Sequence, residues 1–371
     1  MAEYVPMPDP IGGILMTGPA QATLTPAAFS KPSTELVANL DVELASCPAT
    51  GLPISISSGV RSTCYIACPT AAYIDYGIEE LRHFSNRPVV TAAARCAVSG
   101  LRPLLRATGW DRQVQINNWL LSTNPLPEDP AAAIGRMTEA ALDMYPGHAV
   151  VLRSINAVSD ASLLDDLAVR GFRLVPSRQV YLRPPASPRT RDMKNDIRDL
   201  RRSGLYWKRG IDFTSAEFVA VTHLYNRLYI DKYTQLNPHY TPFFLEGLAR
   251  EGLLDLWALN RGQEMCAVIG LFRAGNTLTS PIVGFDTSAP RSQGLYRLVS
   301  TKVFEIGDAT GCWLNLSAGA AAYKRTRGAV PALEFMAVYD RDLPLRNRAA
   351  GRAVESLLTR VAAPLVQRFE L

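Results

Sequence analysis

The stretch Gly284-Phe285-Asp286-Thr287-Ser288-Ala289-Pro290-Arg291-Ser292-Gln293-Gly294-Leu295-Tyr296-Arg297 decides how the chain is read. It closes an apolar strand, turns, and enters a segment in which Leu295, Leu298, Val299, Val303 and Ile306 recur at helical spacing. A helix is therefore expected to begin near Gly294, with Ser292 and Gln293 as capping-type residues before it. The first turn of a helix leaves backbone N–H groups without partners and carries a partial positive charge, so it suits an anion. Gly294 lets a phosphate approach the backbone closely, and Arg291 and Arg297 flank it. Beyond Gly311, Trp313-Leu314-Asn315-Leu316 reads as a short buried central strand, halted by Ala318-Gly319. Ala322-Tyr323-Lys324-Arg325-Thr326-Arg327-Gly328 follows as a short helix ended by glycine.

A glycine-containing turn at a helix start, then a strand, then a Tyr-Lys-x-x-x-Gly segment resembles the GNAT acyltransferase superfamily. Within it the resemblance is specifically to the Fem-like and cellulose-biosynthesis-type (CelD-like) branch, in which a Tyr-Lys pair follows the strand. The resemblance is best from about Arg191 to Tyr339. It implies an acyl-CoA or related thioester as donor, with no metal, and a donor site built from Val283, Gly284, Arg291, Ser292, Gln293, Gly294, Leu295, Tyr296, Arg297, Asn315 and Ser317. One departure is visible: the superfamily's fuller pyrophosphate loop carries two or more glycines, whereas residues 291–296 offer one.

A chain of 371 residues exceeds a single core of roughly 250–300 residues, so two packed domains are expected. Composition allows both, with 47% apolar and 20% charged residues, and no apolar run reaches the ~18–20 residues that span a bilayer. The N-terminus lacks the basic start and hydrophobic core of a secretion signal, which points to the cytoplasm. The six cysteines and the histidines His83, His148, His223 and His239 lack zinc-ligand spacing and read as free thiols and scattered rings. A net charge of +5 mildly favours anionic ligands. No Gly-x-Ser-x-Gly elbow, Walker loop or Rossmann fingerprint occurs, which disfavours hydrolases, nucleotide hydrolases and dinucleotide oxidoreductases.

Taken in order, residues 1–32 form an irregular Pro- and Gly-rich arm. Pro53 to Ser57 alternates as a strand, with Ser62 to Cys68 as its expected hairpin partner and Ser58 to Arg61 as the turn. Helices are expected from Ile78 to about Thr108, and a strand from Gln113 to Leu120. Pro130 opens a helix to Met144 with Asp129 as its cap, His148 to Arg153 is a buried strand, Ser162 to Arg170 a helix ended by Gly171, and strand returns at residues 172–175 and 180–182. This order, helix, strand ending near Asn156, short helix and Gly171, repeats in size the later helix, strand ending near Asn315, short helix and Gly328. It also resembles the second half of a GNAT domain. The expected architecture is therefore α/β (α+β): a degenerate N-terminal GNAT-like domain over 33–185, a catalytic one over 186–345, each a mixed sheet flanked by helices, and a terminal helix over 346–371 with Val354, Leu357, Leu358, Val361 and Leu365 inward. In the first copy Leu126-Pro127-Glu128-Asp129-Pro130 stands where the second has Arg291-Ser292-Gln293-Gly294, adding carboxylates and removing an N–H donor, so that copy is expected to have lost the phosphate site.

After a Pro-rich connector, a helix sets Met193, Ile197 and Leu200 on one side and Arg191, Lys194, Arg198 and Arg201 on another. That face is either simply solvated or a landing surface for a polyanion: tRNA, an acyl carrier protein or the coenzyme's adenosine phosphate. A helix from Phe218 to Lys232 carries Tyr229 and Lys232, and Tyr233 to Tyr240, with His239, forms either a ligand wall or an ordinary packed loop. These residues and Glu334 are the acceptor-side candidates. Leu254–Leu259, Cys266–Arg273 and Thr277–Phe285 form an antiparallel meander, and Leu333 to Tyr339 alternates as the closing strand.

Acyl transfer to an amine needs an oriented carbonyl and an uncharged nucleophile. The resemblance puts the carbonyl in a gap between two central strands, here Pro281 to Asp286 and Trp313 to Ser317, where a backbone N–H polarises it. Asp286 then either orients or deprotonates the acceptor or merely starts the turn. Tyr323 either protonates the departing thiolate or packs, and Lys324 either balances developing charge or faces solvent. Three functions follow: an N-acyltransferase acting on the amine of a small amino-acid-like metabolite, an aminoacyl-tRNA-dependent Fem-like ligase, or a silent binding module. The chain is expected to be a monomer or homodimer, with no membrane partner.

Overall fold

The structure is a computed structural model that describes residues 25–59, 62–84 and 88–369. Eleven strands form one mixed sheet: β1 (Glu43–Ser46), β2 (Pro53–Ser58), β3 (Arg112–Ile116), β4 (Ala149–Asn156), β5 (Arg173–Arg183), β6 (Tyr206–Arg209), β7 (Leu254–Arg261), β8 (Glu264–Ala274), β9 (Thr277–Phe285), β10 (Trp313–Asn315) and β11 (Val330–Tyr339). Their order across the sheet is β1-β2-β3-β4-β11-β5-β10-β9-β8-β7-β6. The two flanks mirror each other. From either end, antiparallel neighbours lead to one parallel step, β3 with β4 and β9 with β10, and then to an antiparallel step onto the central pair β11 and β5.

The closing strand of each half is paired into the other half. β11, last in the chain, lies between β4 and β5, while β5 lies between β11 and β10. The apolar pattern explains the depth of these strands: residues 266–272 of β8 and 149–152 of β4 are continuously buried, as strands covered on both faces require. Helices cover the faces, and the helix Ser215–Asn226 lies so close on β9 that a Cβ at Gly284 would sit 2.7 Å from the backbone of Leu224 and Tyr225.

Several local expectations need correction. The partner of β2 is β1, across a turn at residues 47–52, and not Ser62 to Cys68. There the chain is a non-ladder loop whose carbonyls serve side chains instead: Ile66 O accepts from Arg153 Nη1 (2.8 Å) and Ala67 O from Gln113 Nε2 (2.7 Å). Val60 and Arg61 of the expected turn lie outside the described residues, as does most of the expected arm. β3 stops at Ile116 rather than Leu120, because Asn117 turns into the left-handed region (φ 52°) and its side chain takes Pro125 O and Trp119 Nε1–H. Asp129 also has positive φ (47°) and makes no side-chain cap. The helix from Ser215 ends at Asn226, and a π-helical turn, Arg227–Asp231, follows. In the C-terminal helices Val354 is buried, whereas Val361 and Leu365 are exposed.

Candidate active site

β9 and β10 run parallel for only three residue pairs, Trp313 with Thr277, Leu314 with Leu278 and Asn315 with Thr279. At the fork Thr279 Oγ1 donates to Asn315 O (3.1 Å). Past it the two part. Leu316 N and Ser317 O bond to the backbone of Tyr181 on β5, while β9 continues with β8 alone to Phe285. Pro281 lies just past the parting, where a strand with no neighbour on one edge tolerates a missing N–H. The buried Asn315 side chain holds the turn by accepting from Ser317 N (2.9 Å), which lets Ser317 keep φ at 59°.

The donor-side helix starts where the spacing placed it, after a left-handed Gly294 (φ 61°), and runs Leu295–Val299 into Thr301–Thr310 through a right-handed Ser300. Ser292 and Gln293 do not cap it. Residues 291–293 form a 3-10 turn, and no side-chain cap bond is made. The N–H groups of Leu295, Tyr296 and Arg297 consequently have no backbone acceptor among the described residues. Arg297 is held beside the Arg191–Arg202 helix by Asp196 (2.7 Å) and Asp199 (3.5 Å). Arg291 and Ser292 are exposed, and Gln293 accepts from Arg261 (3.4 Å).

Tyr323 and Lys324 meet this opening from the far side. The Tyr323 ring lies 4.9 Å from Tyr296 and has the Arg327 guanidinium 3.6 Å over its centroid. Its hydroxyl is buried with the Ser300 side chain beside it, and burial pushes its pKa up to about 12, so it keeps its proton at neutral pH. Lys324 does not face solvent. It is 5% exposed, donates Nζ to Ser317 O (3.0 Å) and Ala318 O (2.8 Å), and lies 5.6 Å from the Tyr181 ring. Burial, with Arg178 second, brings its pKa down to about 7.

Asp286 starts the turn after β9. Its carboxylate accepts from Ser288 Oγ and N (2.6 and 3.0 Å) and pairs with Arg227 (2.7 Å), and these bonds, the Ser288 hydroxyl first, hold its pKa below the ordinary carboxylate value. So bound, the carboxylate is a weak base. Val283 is buried in the strand beside it.

The acceptor-side candidates do not converge. Tyr229 stacks on Tyr225 (4.8 Å) and packs against both large apolar clusters, which puts it between the halves. His239 and Tyr240 tie their loop to the N-terminal half: the backbone N–H of His239 donates to Asn39 Oδ1 (3.0 Å), and Tyr240 Oη donates to Leu120 O (3.0 Å). Lys232 and Tyr233 are exposed, and Glu334 is buried in β11 on Arg178 (2.8 Å). Sequence reasoning missed Thr279 at the fork, Arg227 behind Asp286, and the buried Asp196–Arg327 pair (2.6 Å) that backs Tyr323. None has a local pattern; only the sheet order brings them together. Among the described residues no group of three or more His, Cys, Asp or Glu is arranged to hold a metal ion, and no helix is long and apolar enough to cross a membrane.

Residues 187–325 match the model of the acetyltransferase (GNAT) domain. The chain is an acyltransferase with a GNAT-like mixed α/β fold. Among solved structures it is similar to the C-terminal domain of a putative lysylphosphatidylglycerol synthetase from Agrobacterium fabrum, with 16% identity, 62% of this chain and 78% of that one covered, and a TM-score of 0.43. FemX shows 10% identity over 60% and 78% of the two chains with a TM-score of 0.46. A GCN5-related N-acetyltransferase from Kribbella flavida shows 14% identity over 62% and 81%, with a TM-score of 0.31. No curated protein matches the chain in sequence.

Proposed function

We propose that the chain moves an acyl group from an acyl-CoA, or related thioester, to the amine of a small amino-acid-like metabolite. The observation that carries this reading is the parting of β9 and β10 beyond Thr279 and Asn315, with the donor-side helix start on one side and Tyr323 and Lys324 on the other. The free N–H groups at residues 295–297 receive the donor's pyrophosphate, and its thioester lies in the gap against the unpaired edge of β9. The acceptor nitrogen attacks the carbonyl carbon, forming the C–N bond as the C–S bond breaks. Neutral Lys324 takes the amine proton, and Tyr323 gives its hydroxyl proton to the departing sulfur. Asp286, fixed by Arg227 and Ser288, serves the shape of the entry turn. In this reading residues 186–345 are the catalytic unit and 33–185 a related unit that supplies the opposite wall. Its own counterpart of the helix start is covered, since a Cβ at Gly275 in the β8–β9 turn would lie 2.9 Å from Leu126 O.

The test is release of free thiol from short, medium and hydroxylated acyl-CoAs in the presence of a panel of amines. Release with none of them would end the coenzyme reading. A second reading is favoured by one observation: Arg191, Lys194, Arg198, Arg201 and Arg202 are all exposed on the helix that holds Arg297. Such a face suits a polyanion, so an aminoacyl-tRNA donor or a carrier protein would dock there. Activity that disappears on ribonuclease treatment would select the tRNA donor over the coenzyme.

A further inference from the structure

A second charged cluster lies in the wall between the halves, formed by the centre of the sheet and the loop at residues 62–68. Arg153 on β4 and Arg178 on β5 both reach the carbonyl of Ser122, Arg153 through Nη2 (3.5 Å) and Arg178 through Nη2 (2.8 Å). Arg178 also donates to Thr123 Oγ1 (3.0 Å) and pairs through Nε with Glu334 (2.8 Å). Arg153 gives its remaining bond, Nη1, to Ile66 O (2.8 Å), and its guanidinium lies 5.7 Å from the Tyr65 ring centroid. Two guanidiniums thus share one neutral carbonyl, and the one carboxylate between them is bonded to Arg178 alone. The next carboxylate, Asp160, is taken up by Asn156 and Ser159.

A buried amide beside this pair is left over. Gln115, 1% exposed, has both side-chain polar atoms without a partner among the described residues, and the hydroxyl of Tyr73 has only Ser177 beside it. Gln115 stands opposite Val151 on β4, so Arg153, two residues on, projects from the same face of the sheet. Tyr73 is within electrostatic reach of both Arg153 and Glu334. Buried polar groups are normally satisfied, and a buried amide left unsatisfied beside two like charges marks a place meant for something else.

We propose that Arg153, Arg178, Tyr73 and Gln115 seat the carboxylate of the acceptor, whose reacting amine lies several bonds away at Lys324. The inference rests on the acyl-transfer reading above. Lys324 lies against Tyr181, and the charge of Arg178, three residues back along β5, bears on Lys324 as well. The acceptor this seat suits is an ω-amino acid or a short peptide whose amine stands remote from its carboxylate.

Three probes of one length, 6-aminohexanoate, 6-aminohexanamide and hexylamine, are titrated calorimetrically into the full chain without donor and then supplied with acetyl-CoA for thiol release. The acid should bind about 10- to 100-fold more tightly than the amide, the range for hydrogen bonds to charged groups, and hexylamine should follow the amide. Arg153→Gln should abolish the preference, and Arg153→Lys should restore part of it. Equal binding of acid and amide to the unmodified protein overturns the seat, whatever the variants do. Inorganic phosphate displacing 6-aminohexanoate at lower concentration than acetate does would overturn its assignment to a carboxylate. Preference for the acid without thiol release leaves the seat standing and removes the coenzyme donor; thiol release with equal use of acid and amide does the reverse.

Discussion

At the scale of the residue, the decisive fact is that Lys324 is enclosed, with its nitrogen on two carbonyls and a pKa brought down to about 7. A base poised there gives a turnover number that rises as pH passes through about 7, because the neutral amine is the active form. Lys324→Met should remove that inflection and lower kcat by roughly 10²-fold, read from pH–rate profiles of both proteins. The same shift has a sign in stability. Between about 7 and 10.5 the unfolded chain holds a proton on this lysine that the folded chain does not, so stability through this group rises with pH across that window. Urea midpoints of the variant should lack that rise. Tyr323→Phe, which removes only a hydroxyl, should change the midpoint little and reduce kcat by about 10-fold or more. The Tyr-Lys pair was legible as a pair from its place after a strand. That Lys324 is buried was not, because a lysine on a five-residue helix reads as solvated until the loop 317–320 is known to fold over it.

At the scale of the element, the helix start at Gly294 and the fork between β9 and β10 are the parts that the proposed reaction uses. The apolar spacing from Leu295 to Ile306 fixed the helix within a residue, and a three-residue strand at Trp313 followed from its brevity. The caps were misread because Ser and Asp favour both N-caps and turns, and the choice rests on backbone torsions the sequence does not carry. Gly294→Asp places a carboxylate at the free N–H groups and a Cβ near Arg297 Nη2 (2.7 Å), the flexible end of a side chain. Donor affinity should fall below detection by calorimetry with coenzyme A while the melting profile stays cooperative. Gly284→Ala is the contrasting case. The added methyl meets backbone of a packed helix, so it should cost about 1–3 kcal/mol in urea unfolding with a smaller effect on donor affinity.

At the scale of the whole molecule, the sheet order decides how the halves depend on each other. The proposed repeat of helix, strand, short helix and glycine was readable as a pattern, and Gly171 and Gly328 both take a left-handed torsion (φ 93° and 83°). The exchange of closing strands was not, because β5 and β11 have alternation that would suit pairing at home as well as across. With β11 seated between β4 and β5, neither half keeps a complete sheet when cut at the connector near residue 186. A fragment of residues 33–185 would expose the facing edges of β4 and β5, unpaired and flanked by the apolar residues that β11 covers, and edges of that kind aggregate. The fragment should be insoluble or molten, and so should a chain ended at residue 329, even though that truncation leaves the whole region matched to the acetyltransferase model intact. In the full chain the central strands link both cores, so unfolding followed by the tryptophans of the N-terminal half, Trp110 and Trp119, should coincide with that followed by Trp207 and Trp257. Two separated transitions in single-tryptophan variants would mean that the shared strands do not couple the halves, and the acceptor wall would then have to be rigid for some other reason.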